Sequence, residues 1–191
     1  NTDNFKNFAN AVAKHVALAN PADLDELMKQ KFVDDESKTI EDMVSDATVA
    51  IGEKITVRRF ARYETEGVVS SYIHMGGKVG VVVRLEYTGT PSDMASLKRT
   101  AKDIAMQASA FSPVAVNNAA VPAETLAKEQ EIARAQIVNE GKTKPEFIDR
   151  QIAGRVNKVL KELVLEDQEF FMSDKNPKRL AVKDYLMEAG K

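Results

Sequence analysis

Between Ile51 and Leu85 the chain changes its hydrophobic period, and that change limits what it can fold into. The stretch reads IGEKITVRRFARYETEGVVSSYIHMGGKVGVVVRL. Apolar residues before it recur every three or four positions, the mark of helices. Within it they alternate, so that every second side chain shares a face, the mark of strands. Ile55, Val57, Phe60 and Tyr63 form a first β-prone run, Val68 to Met75 a second, and Val79 to Tyr87 a third. The third carries Val79, Val81, Val83 and Leu85 on one face. Gly76-Gly77 between the last two runs is a hairpin signal, because tight hairpin turns need positive φ. The expectation is a three-stranded antiparallel meander.

The flanks are helical. Phe5, Phe8, Val12 and Val16 make one stripe, with Asp3 as the expected cap. Asn20-Pro21 stops this helix and is expected to start a second, buried through Leu24, Leu27 and Met28. Asp34-Asp35-Glu36-Ser37 reads as a polar connection. Thr39 and Asp42 make a capping-box arrangement for a third helix with face Ile40, Met43, Val44, Ala47 and Ile51, and Gly52 is placed to end it. Ser92 or Asp93 opens a long alanine-rich helix, whose small side chains permit close approach to a sheet. A sheet with helices on one face is an α+β layer architecture.

Two further helices follow Pro122. The first offers Leu126, Gln130, Ala133 and Ile137, the second Ile148, Ile152, Val156, Val159 and Leu163. These spacings lie near the 3.5-residue repeat of a coiled coil and predict a projecting antiparallel helical hairpin that turns near Gly141–Pro145. Phe170-Phe171-Met172 then returns the chain to the core, and Ala181 to Glu188 is a last helix. The expected organisation is an α+β core over 1–121, the hairpin over 122–166, and a return over 167–191. A final helix running into Ala189-Gly190-Lys191 reads as the lead-in to a further element, so a C-terminal truncation is expected.

Composition excludes several functions. The chain has 191 residues, a formal net charge of -2 and no cysteine. Disulfides and thiolate metal sites are therefore excluded, and a general nucleic-acid binder, which needs an excess of unpaired cations, is not expected. No apolar run reaches the roughly 20 residues that span a bilayer. Charge is uneven: ten acidic against three basic residues lie between Asn20 and Glu53, followed by four basic residues and no acid from Lys54 to Tyr63. Either the two segments pair internally, or the arginines meet an acidic partner surface. Arg58-Arg59 within a strand would point to opposite faces.

No catalytic set emerges. Two histidines are present, and no cluster has metal-ligand spacing. His15, next to a stripe position, reads as a half-buried surface residue. His74 precedes the glycine turn, where it either caps its own turn or makes an exposed contact. Gly76-Gly77-Lys78-Val79-Gly80 lacks phosphate-loop spacing and leads into a strand where that motif requires a helix.

Ile51, Gly52, Glu53, Ile55, Arg58, Arg59, Tyr72, His74, Gly77, Lys78, Gly80 and Val81 together carry a resemblance to the core of bacterial-type translation elongation factor Ts. The similarity continues through Asp103-Ile104-Ala105-Met106-Gln107-Ala108, the hairpin turn, and Leu163, Gln168 and Phe170. It implies a guanine nucleotide exchange factor for elongation factor Tu, working in the cytoplasm without covalent chemistry, cofactor or metal. By that resemblance Ile51 and His74 sit against a helix of the partner's nucleotide-binding domain, and Gly52, Met75, Gly76 and Gly77 belong to the same contact. The hairpin would be an accessory contact or a homodimerisation arm; a structural or oligomerisation module acting through it is the alternative. Asn4 interrupts the family's Thr-Asp-Phe motif at Thr2-Asp3-Asn4-Phe5. The chain is therefore expected to begin just after that motif, and to lack the family's N-terminal helical module and last core strand.

Overall fold

The computed structural model describes residues 2–90 and 93–190. They form seven α-helices and two small antiparallel sheets, an α+β fold. The chain divides into two compact units, Asn1–Tyr63 and Glu64–Lys191.

In the first unit, α1 (Asp3–Ala19), α2 (Leu24–Lys29) and α3 (Ile40–Ile51) surround a hairpin of β1 (Lys31–Phe32) and β2 (Asp35–Thr39). Val12, Val16, Leu27, Phe32 and Ile40 form the buried centre. The Thr39–Asp42 capping box is complete. Thr39 Oγ1 accepts from the Asp42 amide, and Asp42 Oδ2 accepts from the Thr39 amide at 2.8 Å. Gly52 ends α3 with φ of 76°, a left-handed conformation that costs glycine little.

Four expectations change among these helices and the hairpin. Thr2, not Asp3, caps α1, its hydroxyl accepting from the Phe5 amide. Asn20 closes α1 at φ 49°, and α2 starts only at Leu24, where Asp23 accepts from the Glu26 amide. The stretch Asp34–Ser37 is a hairpin turn and part of β2 rather than a bare connection, since Phe32 pairs with Asp35 and Lys31 with Thr39. His15 is fully buried, not half-exposed.

The meander has two strands, not three. Ile55–Tyr63 takes no regular secondary structure and joins no sheet. The Arg58-Arg59 doublet breaks the alternation between Val57 and Phe60, so no single face stays apolar through the run. Val57 and Phe60 pack on the helical core instead, the Ile55 amide donates to Thr48 Oγ1, and Arg62 Nε donates to the Ala17 carbonyl.

In the second unit, β3 (Val68–His74) and β4 (Val79–Leu85) pair antiparallel in unbroken register, from Val68 opposite Leu85 to His74 opposite Val79. The chain enters β3 at Gly67, where an added Cβ would stand 2.2 Å from the Leu85 carbonyl oxygen; only glycine permits this approach. Helix α4 (Met94–Phe111) lies against both strands, and its Ala101 and Ala105 are fully buried. Asp93 caps it by accepting from the amides of Ala95 and Ser96; Pro91 and Ser92 lie outside the described residues.

Helices α5 (Ala123–Glu140) and α6 (Ile148–Leu163) pack through Ala133, Ile137, Ile152 and Val156, with Leu126, Ile148 and Leu160 at the margins. Leu160 takes the seam position expected of Val159. Gln130 is exposed. The chain then returns to α4. Leu165, Phe170 and Val182 bury against Ile104, and α7 (Val182–Ala189) sets Tyr185 on Phe170 with ring centroids 4.0 Å apart. Phe170 is buried, whereas its neighbour Phe171 is exposed.

Candidate functional site

The tip of the β3–β4 ribbon concentrates exposed side chains on a rigid support. Seven consecutive residue pairs fix the ribbon, and α4 covers one of its faces. Strand alternation places Tyr72 and His74 on the same face. The Tyr72 hydroxyl lies 3.0 Å from His74 Nδ1, and the two rings stack with centroids 5.7 Å apart. Met75, Gly76 and Gly77 then take φ of 49°, 65° and 95°. Three successive positive φ values turn the chain within four residues, and the two glycines supply the permissive backbone that this needs. Met75, the one residue there with a side chain, is strained into the left-handed region and is 64% exposed.

His74, Met75, Gly76 and Gly77 are thus brought together in one exposed turn of the second unit. Ile51 and Gly52 belong to the first unit, at the C-terminal end of α3. Ile51 is half-buried and lines a cleft of about 440 Å³ together with Phe8, Ala11, Phe32, Met43 and Ala47. A second cleft of about 400 Å³ runs along α1 past Ile55 to Ala61, and both Arg58 and Arg59 line it. Because the segment is not a strand, strand alternation does not assign these two exposed arginines to opposite faces. Among the described residues neither has an ion-pair partner, so the acidic helices do not neutralise them.

His15 carries no exposed chemistry. Its Nε2–H donates to Gln30 Oε1 at 2.9 Å, and its Nδ1 accepts from the Val33 amide at 3.3 Å. It ties α1 to the strand hairpin and is satisfied there. The Asp103–Ala108 segment also proves structural. Asp103 accepts from Lys175 Nζ at 2.6 Å, and the buried amide of Gln107 bonds to Gln168, Glu169 and Phe171. Lys183 beside Asp167 holds that carboxyl below the usual range, with Asn118 also donating to it. No group of three or more metal-binding side chains occurs among the described residues, and no helix there is long and apolar enough to cross a membrane.

Taken singly, the sequence assigns Tyr72 no contact. The signal was present in its spacing: two positions before a histidine in a strand, an aromatic must share the histidine's face.

Paired ribbon, exposed turn and helix pair define a class: an α+β chain that displays an exposed glycine turn on a helix-backed ribbon. Within that class the chain belongs to the elongation factor Ts family. The family model described as Elongation factor TS matches residues 1–191. Among curated relatives, elongation factor Ts of Clostridium botulinum (strain 657 / Type Ba4) is 38% identical over 165 residues, covering 86% of this chain and 52% of that protein. The protein of the same name from Halothermothrix orenii is 39% identical over 169 residues, covering 88% and 54%. That of Clostridium novyi is 38% identical over 167 residues, covering 87% and 53%. The chain spans about half the length of these relatives.

Proposed function

We propose that this chain is the core of a guanine nucleotide exchange factor that binds elongation factor Tu and promotes release of GDP during translation elongation. Family membership across residues 1–191 is the observation that carries this reading. The physical requirement is modest. A protein that binds the nucleotide-free GTPase more tightly than the loaded one must, by linkage, weaken nucleotide binding by the same factor. No covalent step, cofactor or metal of its own is required, and the factor acts in the cytoplasm.

Ile51, Gly52, His74, Met75, Gly76 and Gly77 are the proposed contacts with the GTPase. The exposed, preformed turn at His74–Gly77 supports this, because a rigid contact gives up little entropy when it docks. The α5–α6 pair acts as a projecting antiparallel coiled-coil arm, an accessory contact on the same partner or a dimerisation surface. Its thin buried seam and the exposed Ile132, Val138 and Phe147 support a role beyond self-packing.

Release of fluorescent GDP from elongation factor Tu, measured alongside affinity for the nucleotide-free GTPase, tests the reading. Binding that is strong without nucleotide and weakened by added GDP supports it. Absence of both binding and accelerated release overturns it. Sedimentation with and without residues 123–165 tests the arm as a dimerisation surface, and a monomer in both cases removes that role.

A further inference from the structure

We propose that Tyr72 is a positioning residue for His74: its hydroxyl fixes the imidazole so that Nε2–H is presented as a hydrogen-bond donor, and the ribbon tip recognises an acceptor oxygen on the partner. The proposal rests on the reading that His74 contacts elongation factor Tu.

The geometry is specific. Tyr72 and His74 share one face of β3, and their backbones are pinned by pairing with Val81 and Val79. The 3.0 Å separation of the Tyr72 hydroxyl and Nδ1 is hydrogen-bond distance, and the rings lie 28° from parallel. A phenol is the better donor of the two groups, and a neutral imidazole nitrogen the better acceptor. The hydroxyl therefore donates to Nδ1, and the ring proton resides on Nε2. A contact made by one ring nitrogen sets the tautomer at the other. Among the described residues, nothing else bonds to the His74 ring, so Nε2–H is left for a partner.

Stacking removes the remaining freedom. An exposed histidine at a turn would otherwise sample several rotamers and both tautomers. Only the fraction in the right one could bind, and affinity falls in proportion to that fraction. Tyr72 keeps that fraction high without touching the partner.

The test pairs a spectroscopic with a binding measurement on the same variants. Nitrogen NMR of the His74 imidazole under mildly alkaline conditions reports the tautomer directly. Wild type is expected to show Nε2–H, and Tyr72→Phe, which keeps the ring and removes the hydroxyl, a mixture. Affinity for nucleotide-free elongation factor Tu is expected to fall about 3- to 10-fold in Tyr72→Phe, the loss of one hydrogen bond's worth of ordering. In a His74→Ala background the same change is expected to add nothing. A wild-type Nδ1–H tautomer overturns the donor assignment, and equal losses from Tyr72→Phe with and without His74 overturn the positioning role. An unchanged affinity in His74→Ala alone overturns the contact at His74, while the NMR comparison still decides whether Tyr72 sets the tautomer.

Discussion

Nε2 of the fully buried His15 stands 2.9 Å from Oε1 of the half-buried Gln30. The other ring nitrogen accepts from the Val33 amide, so a single side chain on α1 satisfies polar groups on both sides of β1. Replacing His15 with Leu keeps the site apolar but strands the Val33 N–H and removes a donor from Gln30. A buried unpaired group costs about 1–3 kcal/mol. The urea midpoint should fall accordingly with an unchanged slope, and the Val33 amide should exchange faster. An unchanged midpoint would show that the pair contributes nothing net.

Gln107 supports a larger network. Its Nε2 donates to Gln168 Oε1 at 3.0 Å and to the Glu169 carbonyl at 3.2 Å, while its Oε1 accepts from the Phe171 amide at 2.9 Å. Gln168 in turn donates to the Glu162 carbonyl at 2.7 Å. Gln107→Leu orphans several groups at once and should cost roughly 2–4 kcal/mol. Gln168→Leu should cost less, and the double variant less than the sum, because both remove the same bond. Thermal or urea unfolding of the three variants decides this, and strict additivity would mean that the two amides act independently.

Much of this architecture was legible in the sequence where a local rule and the tertiary environment agree. The Thr39–Asp42 cap, the Gly52 stop, the alanines of α4 and the Gly76-Gly77 turn all follow from backbone chemistry that acts within a few residues. Ile55–Tyr63 departs from the expected strand because β-propensity describes fit to a half-buried surface, and here that surface is helical. The short β1–β2 hairpin was missed because Asp34-Asp35-Glu36 has no apolar face to announce a strand. Burial of His15 and of Gln107 depends on partners 15 and 61 residues away, Gln30 and Gln168, which no window on the sequence contains. At the tip, the family resemblance points to His74, whereas the contact from Tyr72 depends on side-chain rotamers that strand spacing does not set.

Asp167 ties the return segment to α7 and to the loop before α5. Lys183 Nζ lies 2.7 Å from its Oδ1, and Asn118 donates to Oδ2. Its folded value is held below the ordinary carboxylate range, chiefly by Lys183, so protonation is harder in the folded chain than in the unfolded one. Stability from this group is complete above the unfolded value and is lost as pH falls through the folded value. Urea midpoints followed from about pH 6 down to about pH 2 should therefore drop less steeply in Asp167→Asn than in wild type. Superimposable profiles would place the acid sensitivity elsewhere.

Ile137 is 1% exposed in the seam between α5 and α6, facing Ile152 and Val156 in the same buried cluster. Few other contacts hold this pair together: Arg155 to Glu140 at 2.7 Å and Arg134 to Asp149 at 3.1 Å are both substantially exposed and contribute little. Ile137→Ala removes a large share of the buried apolar surface and should cost about 2–4 kcal/mol locally. Because the seam is thin, that loss is comparable to the stability the pair can have, and the helices should open without unfolding the rest. Hydrogen exchange should accelerate throughout 123–163 while the β3–β4 amides and His15-linked Val33 stay protected. Uniform acceleration over the whole chain would show instead that the helix pair and the ribbon unfold as one unit.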